Sequence, residues 1–151
     1  MKGDKGDEII VEVPSKTIHI QHARCPNGCD LMDSTVLIED FPSIKVMVTH
    51  GIQRGAMNLD PLYGGYKNIS EIDIPDDEVV EFYCPHCGVS LVHDDETCHV
   101  CSSPMFTLHL PHGGLIEGCL RRGCFEHRLK IVDLGAQFLR IYQQGSLDAY
   151  L

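Results

Sequence analysis

Residues Cys84-Pro-His-Cys-Gly-Val-Ser-Leu-Val-His-Asp-Asp-Glu-Thr-Cys-His-Val-Cys101 contain two cysteine pairs, Cys84-x2-Cys87 and Cys98-x2-Cys101, separated by ten residues. Two thiolates held by a two- to four-residue turn can face one cation, and the backbone N–H groups of the turn can hydrogen-bond the sulfurs. Outward from this stretch the pattern recurs as Cys25-x3-Cys29 and Cys119-x4-Cys124, so all eight cysteines fall in four close pairs. A single Cys-x-x-Cys is common by chance; four close pairs that use every cysteine are not. Gly28 and Gly123 immediately precede the second cysteine of their pairs and Gly88 follows Cys87, where a tight turn needs a residue tolerant of positive φ. The spacing predicts two all-cysteine metal sites with Cys25, Cys29, Cys84, Cys87, Cys98, Cys101, Cys119 and Cys124 as ligands and two Zn2+ as cofactors. Iron in the same tetrahedral sulfur cage is the alternative.

At 151 residues, with 43% hydrophobic and 23% charged side chains, the chain suits one compact globular domain. No apolar run approaches the ~18–20 residues of a membrane helix. Met1 to Glu8 carries acids and glycines where an export signal would need an apolar stretch, so a soluble cytoplasmic protein is expected. In that compartment thiols stay reduced, which favours metal over disulfides. The net charge of −10 has the wrong sign for a protein that binds by neutralising phosphates. The acidity belongs to residues 1–83, which hold 15 acids and 7 bases, whereas residues 84–130 hold 5 acids, 4 bases and six of the cysteines. Arg121, Arg122, Arg128 and Lys130 are the basic concentration, beside Cys119 and Cys124.

The expected architecture is mainly β: small antiparallel sheets and hairpins organised by the two metal sites, with one short C-terminal helix. Residues 1–12 read as a polar arm, and 13–83 as an N-terminal β region holding the first knuckle. Residues 84–132 read as a second cysteine-rich β region and 133–151 as helix and tail, all one intertwined domain. Lys16 to His22 alternates polar and apolar residues, as a strand does. Ser43 to His50, Gly51 and Ile52 to Leu59 read as a hairpin. Asp60 to Asn68 is a Gly and Tyr turn whose tyrosines are candidate contact residues. Val79 to Tyr83, Met105 to Leu110, Leu115 to Cys119 and Arg128 to Val132 read as strands. Asp133 as cap, an apolar stripe of Leu134, Phe138, Ile141 and Tyr142, and Gly145 as stop predict the helix. No internal repeat is evident.

Catalytic signatures are missing. With four cysteines per ion no coordination position stays open, and the histidines form no His-x-x-x-His or Glu-x-x-His pattern. His86 and His99 lie inside knuckles, where the spacer side chain points outward. No nucleophile elbow, P-loop or dinucleotide fingerprint occurs. Phe82-Tyr-Cys-Pro-His-Cys87 resembles the active-site turn of thioredoxin-fold disulfide oxidants, but Gly88-Val-Ser-Leu91 is a poor start for the helix that would activate such a thiolate. Covalent haem attachment is excluded because Gly88 and Ser102 stand where Cys-x-x-Cys-His needs histidine.

Cys84-Pro-His-Cys-Gly-Val-Ser-Leu91 with Cys98-His-Val-Cys-Ser-Ser-Pro104 resembles zinc ribbons of the double-zinc-ribbon or rubredoxin-like kind, with Ser102 in place of the usual second glycine. That resemblance implies a nested scheme: Cys84, Cys87, Cys98 and Cys101 on one zinc, and Cys25, Cys29, Cys119 and Cys124 on the other. Cys98-x2-Cys101, a hairpin and Cys119-x4-Cys124 also look like the longer ribbons appended to topoisomerases. These imply a sequential scheme, with Cys25 and Cys29 joining Cys84 and Cys87; a cross-braced scheme is the third. Finally, Glu81-Phe-Tyr-Cys-Pro-His-Cys-Gly88 in a small acidic chain is similar to the small zinc-binding subunit of ATP-dependent ketone carboxylases. That likeness implies that catalysis, nucleotide and substrate belong to larger partner subunits. The function expected is therefore that of a non-catalytic zinc-binding subunit or adaptor in a larger complex. A nucleic-acid-associated ribbon and a rubredoxin-like iron electron carrier are the alternatives.

Overall fold

The structure, a computed structural model, describes residues 7–11, 18–63, 65, 67–124 and 126–133. Its strands are β1 (Asp7–Val11), β2 (Met32–Ile38), β3 (Phe41–His50), β4 (Gln53–Leu59) and β5 (Ile69–Ser70), followed by β6 (Glu81–Tyr83), β7 (Val92–Thr97), β8 (Pro104–His109), β9 (Leu115–Cys119) and β10 (His127–Asp133). One antiparallel sheet runs β2-β3-β4-β5, with β6 also paired to β3; the other runs β1-β10-β9-β8-β7. β-branched residues drive the long hairpin: Ile44, Val46 and Val48 alternate inward on β3, and Gly51 at φ +61 turns the chain into β4.

Both sheets contribute to one core. Val46, Val48 and Leu59 share one cluster with Leu108, Ile116 and Leu120, and the Phe82 ring packs tilted against Phe106 at 5.0 Å between centroids. Gly118 lies under the Phe106 ring, and a Cβ there would come within 2.5 Å of it. Gly118→Ala is therefore expected to destabilise by about 1–3 kcal/mol through forced repacking. The thermal midpoint should fall several degrees; an unchanged midpoint would mean that the ring moves aside freely.

The hydrogen-bond pattern is duplicated, which the sequence does not reveal. Met32↔Ile44, Asp33↔Ser43 and Leu37↔Pro42 between β2 and β3 correspond to Val92↔Phe106, His93↔Met105 and Thr97↔Pro104 between β7 and β8, with the same register break. The Lys45 N–H donates to Leu31 O at 2.8 Å, and the Thr107 N–H to Leu91 O at 2.7 Å. Ile20 N–H to Pro61 O is matched by Val80 N–H to Leu120 O, and Gly65 N–H to Leu62 O by Cys124 N–H to Arg121 O. Beyond the Cys-Pro start of the two knuckles and Leu31 and Leu91, few side chains match, so the repeat is carried by the ladder more than by residue identity. The halves exchange the strands that precede their knuckles: Tyr83 pairs with Met47 of the first hairpin, and Arg24 pairs with His109 of the second.

Three local expectations change. Residues 7–11, read as polar arm, form β1 on the edge of the second sheet, in register from Asp7↔Asp133 to Val11↔Leu129. Of the strand expected at 16–22, the described part from Ile18 makes only a bridge, His19↔Leu62, flanked by Tyr63 N–H to Ile18 O and Ile20 N–H to Pro61 O. The wide turn it meets does not present a continuous ladder. Tyr63 is buried in the core rather than offered for contact. The expected C-terminal helix, with Leu134, Phe138, Ile141 and Tyr142, lies outside the described residues, as does Tyr66.

Candidate metal centres

The structure gathers the eight cysteines into two groups, Cys25, Cys29, Cys84 and Cys87, and Cys98, Cys101, Cys119 and Cys124, with the sulfurs of each group within 4.8 Å of one another. The nested scheme is thus corrected to the sequential one. Its failure is geometric: the chain leaves Cys87 and runs along the six-residue strand β7 before Cys98, a rise of roughly 20 Å that puts the two pairs at opposite ends. The β8–β9 hairpin then returns Cys119 opposite Met105, close to Cys98 and Cys101.

All eight cysteines are free thiols. Sulfur–sulfur separations are 3.8 Å for Cys25 and Cys87, 3.7 Å for Cys98 and Cys124, and 3.4 Å for Cys101 and Cys119. These are too long for disulfides. They match the edge of a tetrahedron, about 3.8 Å for metal–sulfur bonds of about 2.3 Å. Each knuckle supplies backbone donors: the N–H groups of Asn27 and Cys29 to Cys25 Sγ, and that of His86 to Cys84 Sγ, all at 3.3 Å. In the second group the Val100 N–H reaches Cys98 Sγ at 3.4 Å and the Arg121 N–H reaches Cys119 Sγ at 3.5 Å. Gly28, Gly88 and Gly123 have φ of +89, +78 and +91, the left-handed turns their positions suggested, and Ser102 adopts φ +64 without being glycine. His86 and His99, the knuckle spacers, are exposed. Each group could hold a metal ion.

The halves differ at the second group. Asp60 and Gly65 occupy the places in the first half that Cys119 and Cys124 occupy in the second, and the Leu62 N–H bonds Asp60 Oδ1 as the Arg121 N–H bonds Cys119 Sγ. The first half closes this loop with a carboxylate that also accepts from Lys67 N–H. The second half brings four thiols to the same place.

Within each group the sulfurs divide protons unequally. The Val89 N–H and the Asn27 amide hold Cys87 down at about 6, while hydrogen bonding to Cys25 and burial push Cys29 up to about 12. Ser103, and further out Arg121, hold Cys101 at about 6; burial drives Cys119 and Cys124 upward. A cation binding all four sulfurs must therefore displace protons from the raised thiols. Apparent metal affinity is expected to rise with pH, and to fall more steeply once acid protonates Cys87 and Cys101 as well, below about 6. Competition with a metal indicator across pH 5.5 to 8 checks this; an affinity independent of pH would contradict thiolate ligation.

Of the basic concentration at Arg121, Arg122, Arg128 and Lys130, the three arginines are described, and each faces a carboxylate. Arg128 is buried and approaches Glu96 at 3.3 Å and Glu117 at 3.7 Å. Arg121 pairs with Asp77 at 2.9 Å, and Arg122 Nε lies 3.9 Å from Asp76. Arg121 also hydrogen-bonds Cys101, an interaction that raises the guanidinium's own pKa and supports the thiolate. The Lys130 side chain lies outside the described residues.

One cluster escaped the sequence reading: His93 and Glu96 of β7 and Glu117 of β9 converge across β8. His93 and Glu117 lie far apart in sequence and meet only through the register of β7, β8 and β9, so spacing gives no signal. Among the described residues, no helix is long and apolar enough to cross a membrane. Comparison with family models, curated proteins and solved structures returns no match.

Proposed function

We propose that this chain is a non-catalytic, two-zinc small subunit or adaptor of a larger cytoplasmic assembly. The observation that carries the reading is the use of every cysteine in two closed four-sulfur groups, an arrangement that stabilises folds and leaves no ligand position for substrate. Zinc fits the tetrahedral thiolate cage, with Cys25, Cys29, Cys84 and Cys87 holding one ion and Cys98, Cys101, Cys119 and Cys124 the other. Bound there, zinc supplies a redox-inert crosslink between distant segments. Eight ligating thiolates and two Zn2+ move the formal charge from −10 towards about −14, which repels nucleic acid. Burial of Arg128 and the ion pairs of Arg121 and Arg122 weaken the nucleic-acid reading further. Exposed Ile52, at the tip of the β3–β4 turn, and Val100, in the Cys98 knuckle, are apolar side chains that a protein partner would cover. The likeness of residues 81–88 to the small subunit of ketone carboxylases favours a partner that carries nucleotide and substrate chemistry.

Native mass measurement of the tagged chain from its own cell tests the proposal. The expected result is a complex containing stoichiometric larger subunits and two zinc ions per copy of this chain. A free monomer would overturn it. So would tight, salt-dependent DNA or RNA binding abolished by Arg121→Ala with Arg122→Ala, and iron in place of zinc would support the electron carrier.

A further inference from the structure

Leu108 and Ile116 point into the common core, so Thr107 and Glu117, their neighbours on β8 and β9, project from the opposite face of the second sheet. That face is not simply solvated. Glu117 is fully buried and Thr107 is more than nine-tenths buried. His93 Nε2 reaches across β8 to within 3.3 Å of Glu117 Oε2, and one ligand atom each from His93, Glu96 and Glu117 lies within 4.8 Å of the others. Arg128 flanks the same cluster: its Nη1 lies 3.7 Å from Glu117 Oε1 and 3.3 Å from Glu96 Oε2. A guanidinium so placed orients both carboxylates, while Oε2 of Glu117 faces the imidazole.

Two further observations point to a ligand. Thr107 Oγ1, directly opposite Glu117 in the β8–β9 ladder, makes no hydrogen bond among the described residues. Thr107 and His93 also line one surface cavity of about 220 Å³, so the imidazole and the hydroxyl share an approach from solvent. The duplicated half shows what the fold itself requires at this place. There Asp33, Ser43 and Asn58 stand where His93, Met105 and Glu117 stand, and the Asn58 amide donates to Asp33 Oδ2 at 3.1 Å and to Ser43 Oγ at 3.0 Å. A hydrogen-bonded amide is thus enough to tie this architecture together. In the second half two carboxylates and an imidazole gather instead; Arg128 offsets one of the two formal negative charges, and the other remains beside His93.

We propose that His93, Glu96 and Glu117 bind a divalent transition cation, a third metal site distinct in chemistry from the two sulfur groups. One imidazole and two carboxylates suit a harder cation than the sulfur groups do, such as Mn2+ or Fe2+. With three protein ligands the cation keeps a position for water or an anion, which the thiolate sites do not offer. The proposal is independent of the subunit reading.

Mn2+ is the probe of choice, because it avoids thiolates and leaves the zinc-loaded sulfur groups undisturbed. Titration of the full-length, zinc-loaded chain followed by electron paramagnetic resonance is expected to show one bound Mn2+ per chain. Nitrogen modulation of its spin echo should report the imidazole. His93→Ala and Glu96→Gln, both at partly exposed positions, should each weaken binding about 10- to 100-fold with the zinc content unchanged, while Asp33→Ala in the duplicated half should have no effect. Failure of the wild type to bind Mn2+ at millimolar concentration would overturn the site. So would a spin echo without nitrogen modulation, or either variant binding as tightly as wild type.

Discussion

Stripping both metal ions with a strong chelator is expected to unfold most of the chain. The strands are short, of two to ten residues, and the two halves meet through exchanged segments rather than a continuous sheet. Four sulfurs within 4.8 Å of one another hold together only when a cation neutralises them or protons return. Structural zinc contributes about 10–16 kcal/mol of apparent binding free energy in small peptides. That is comparable with the whole stability of a domain this size, about 5–15 kcal/mol. Loss of the β circular dichroism signal and of a cooperative thermal transition, in step with loss of metal, is the expected result. A chain shown by elemental analysis to be free of metal, yet with both signals intact, would demonstrate that the sulfur groups do not organise the fold.

The residue pattern carried the β character and the metal-site cysteines further than the way they assemble. Alternating Ile44, Val46 and Val48 announced the β3–β4 hairpin because one face of a strand must be buried, and the glycines of the knuckles announced their left-handed turns. Grouping of the pairs was not legible, because ribbons with similar local spacing close in different ways. Only the length of β7, which separates Cys87 from Cys98, decides between them. The duplication was hidden for a related reason. A ladder is specified by backbone hydrogen bonds and by which face is apolar, so Asp60 can replace Cys119, or Asn58 replace Glu117, without disturbing the register. Arg128 shows the opposite limit: it stands in the basic concentration beside Cys119 and Cys124, whereas strand alternation turns it towards Glu96 and Glu117.

The duplication makes the two sulfur groups unequal, and single substitutions should separate them. Cys84 is buried in the common core, and its group takes one knuckle from each half, where the exchanged strands at Arg24 and Tyr83 cross. Cys84→Ser removes a ligand and leaves a poorly satisfied hydroxyl inside the core, so the clasp between halves opens and no cooperative transition should remain. Cys101 is only half-buried, and its group lies wholly within the second half. The corresponding loop of the first half, Asp60 to Gly65, keeps its shape through hydrogen bonds to Asp60 rather than through a metal ion. Cys101→Ser should therefore lower metal content from two ions towards one and reduce the thermal midpoint, while the first group and the core stay folded. Amide chemical shifts would localise the damage, with changes confined to the turns around Cys98 and Cys119 and resonances of β3 and β4 retained. The reverse pattern, a folded Cys84→Ser variant and an unfolded Cys101→Ser variant, would place the organising site in the second half and reduce the inter-half group to a surface ornament of an already stable sheet pair.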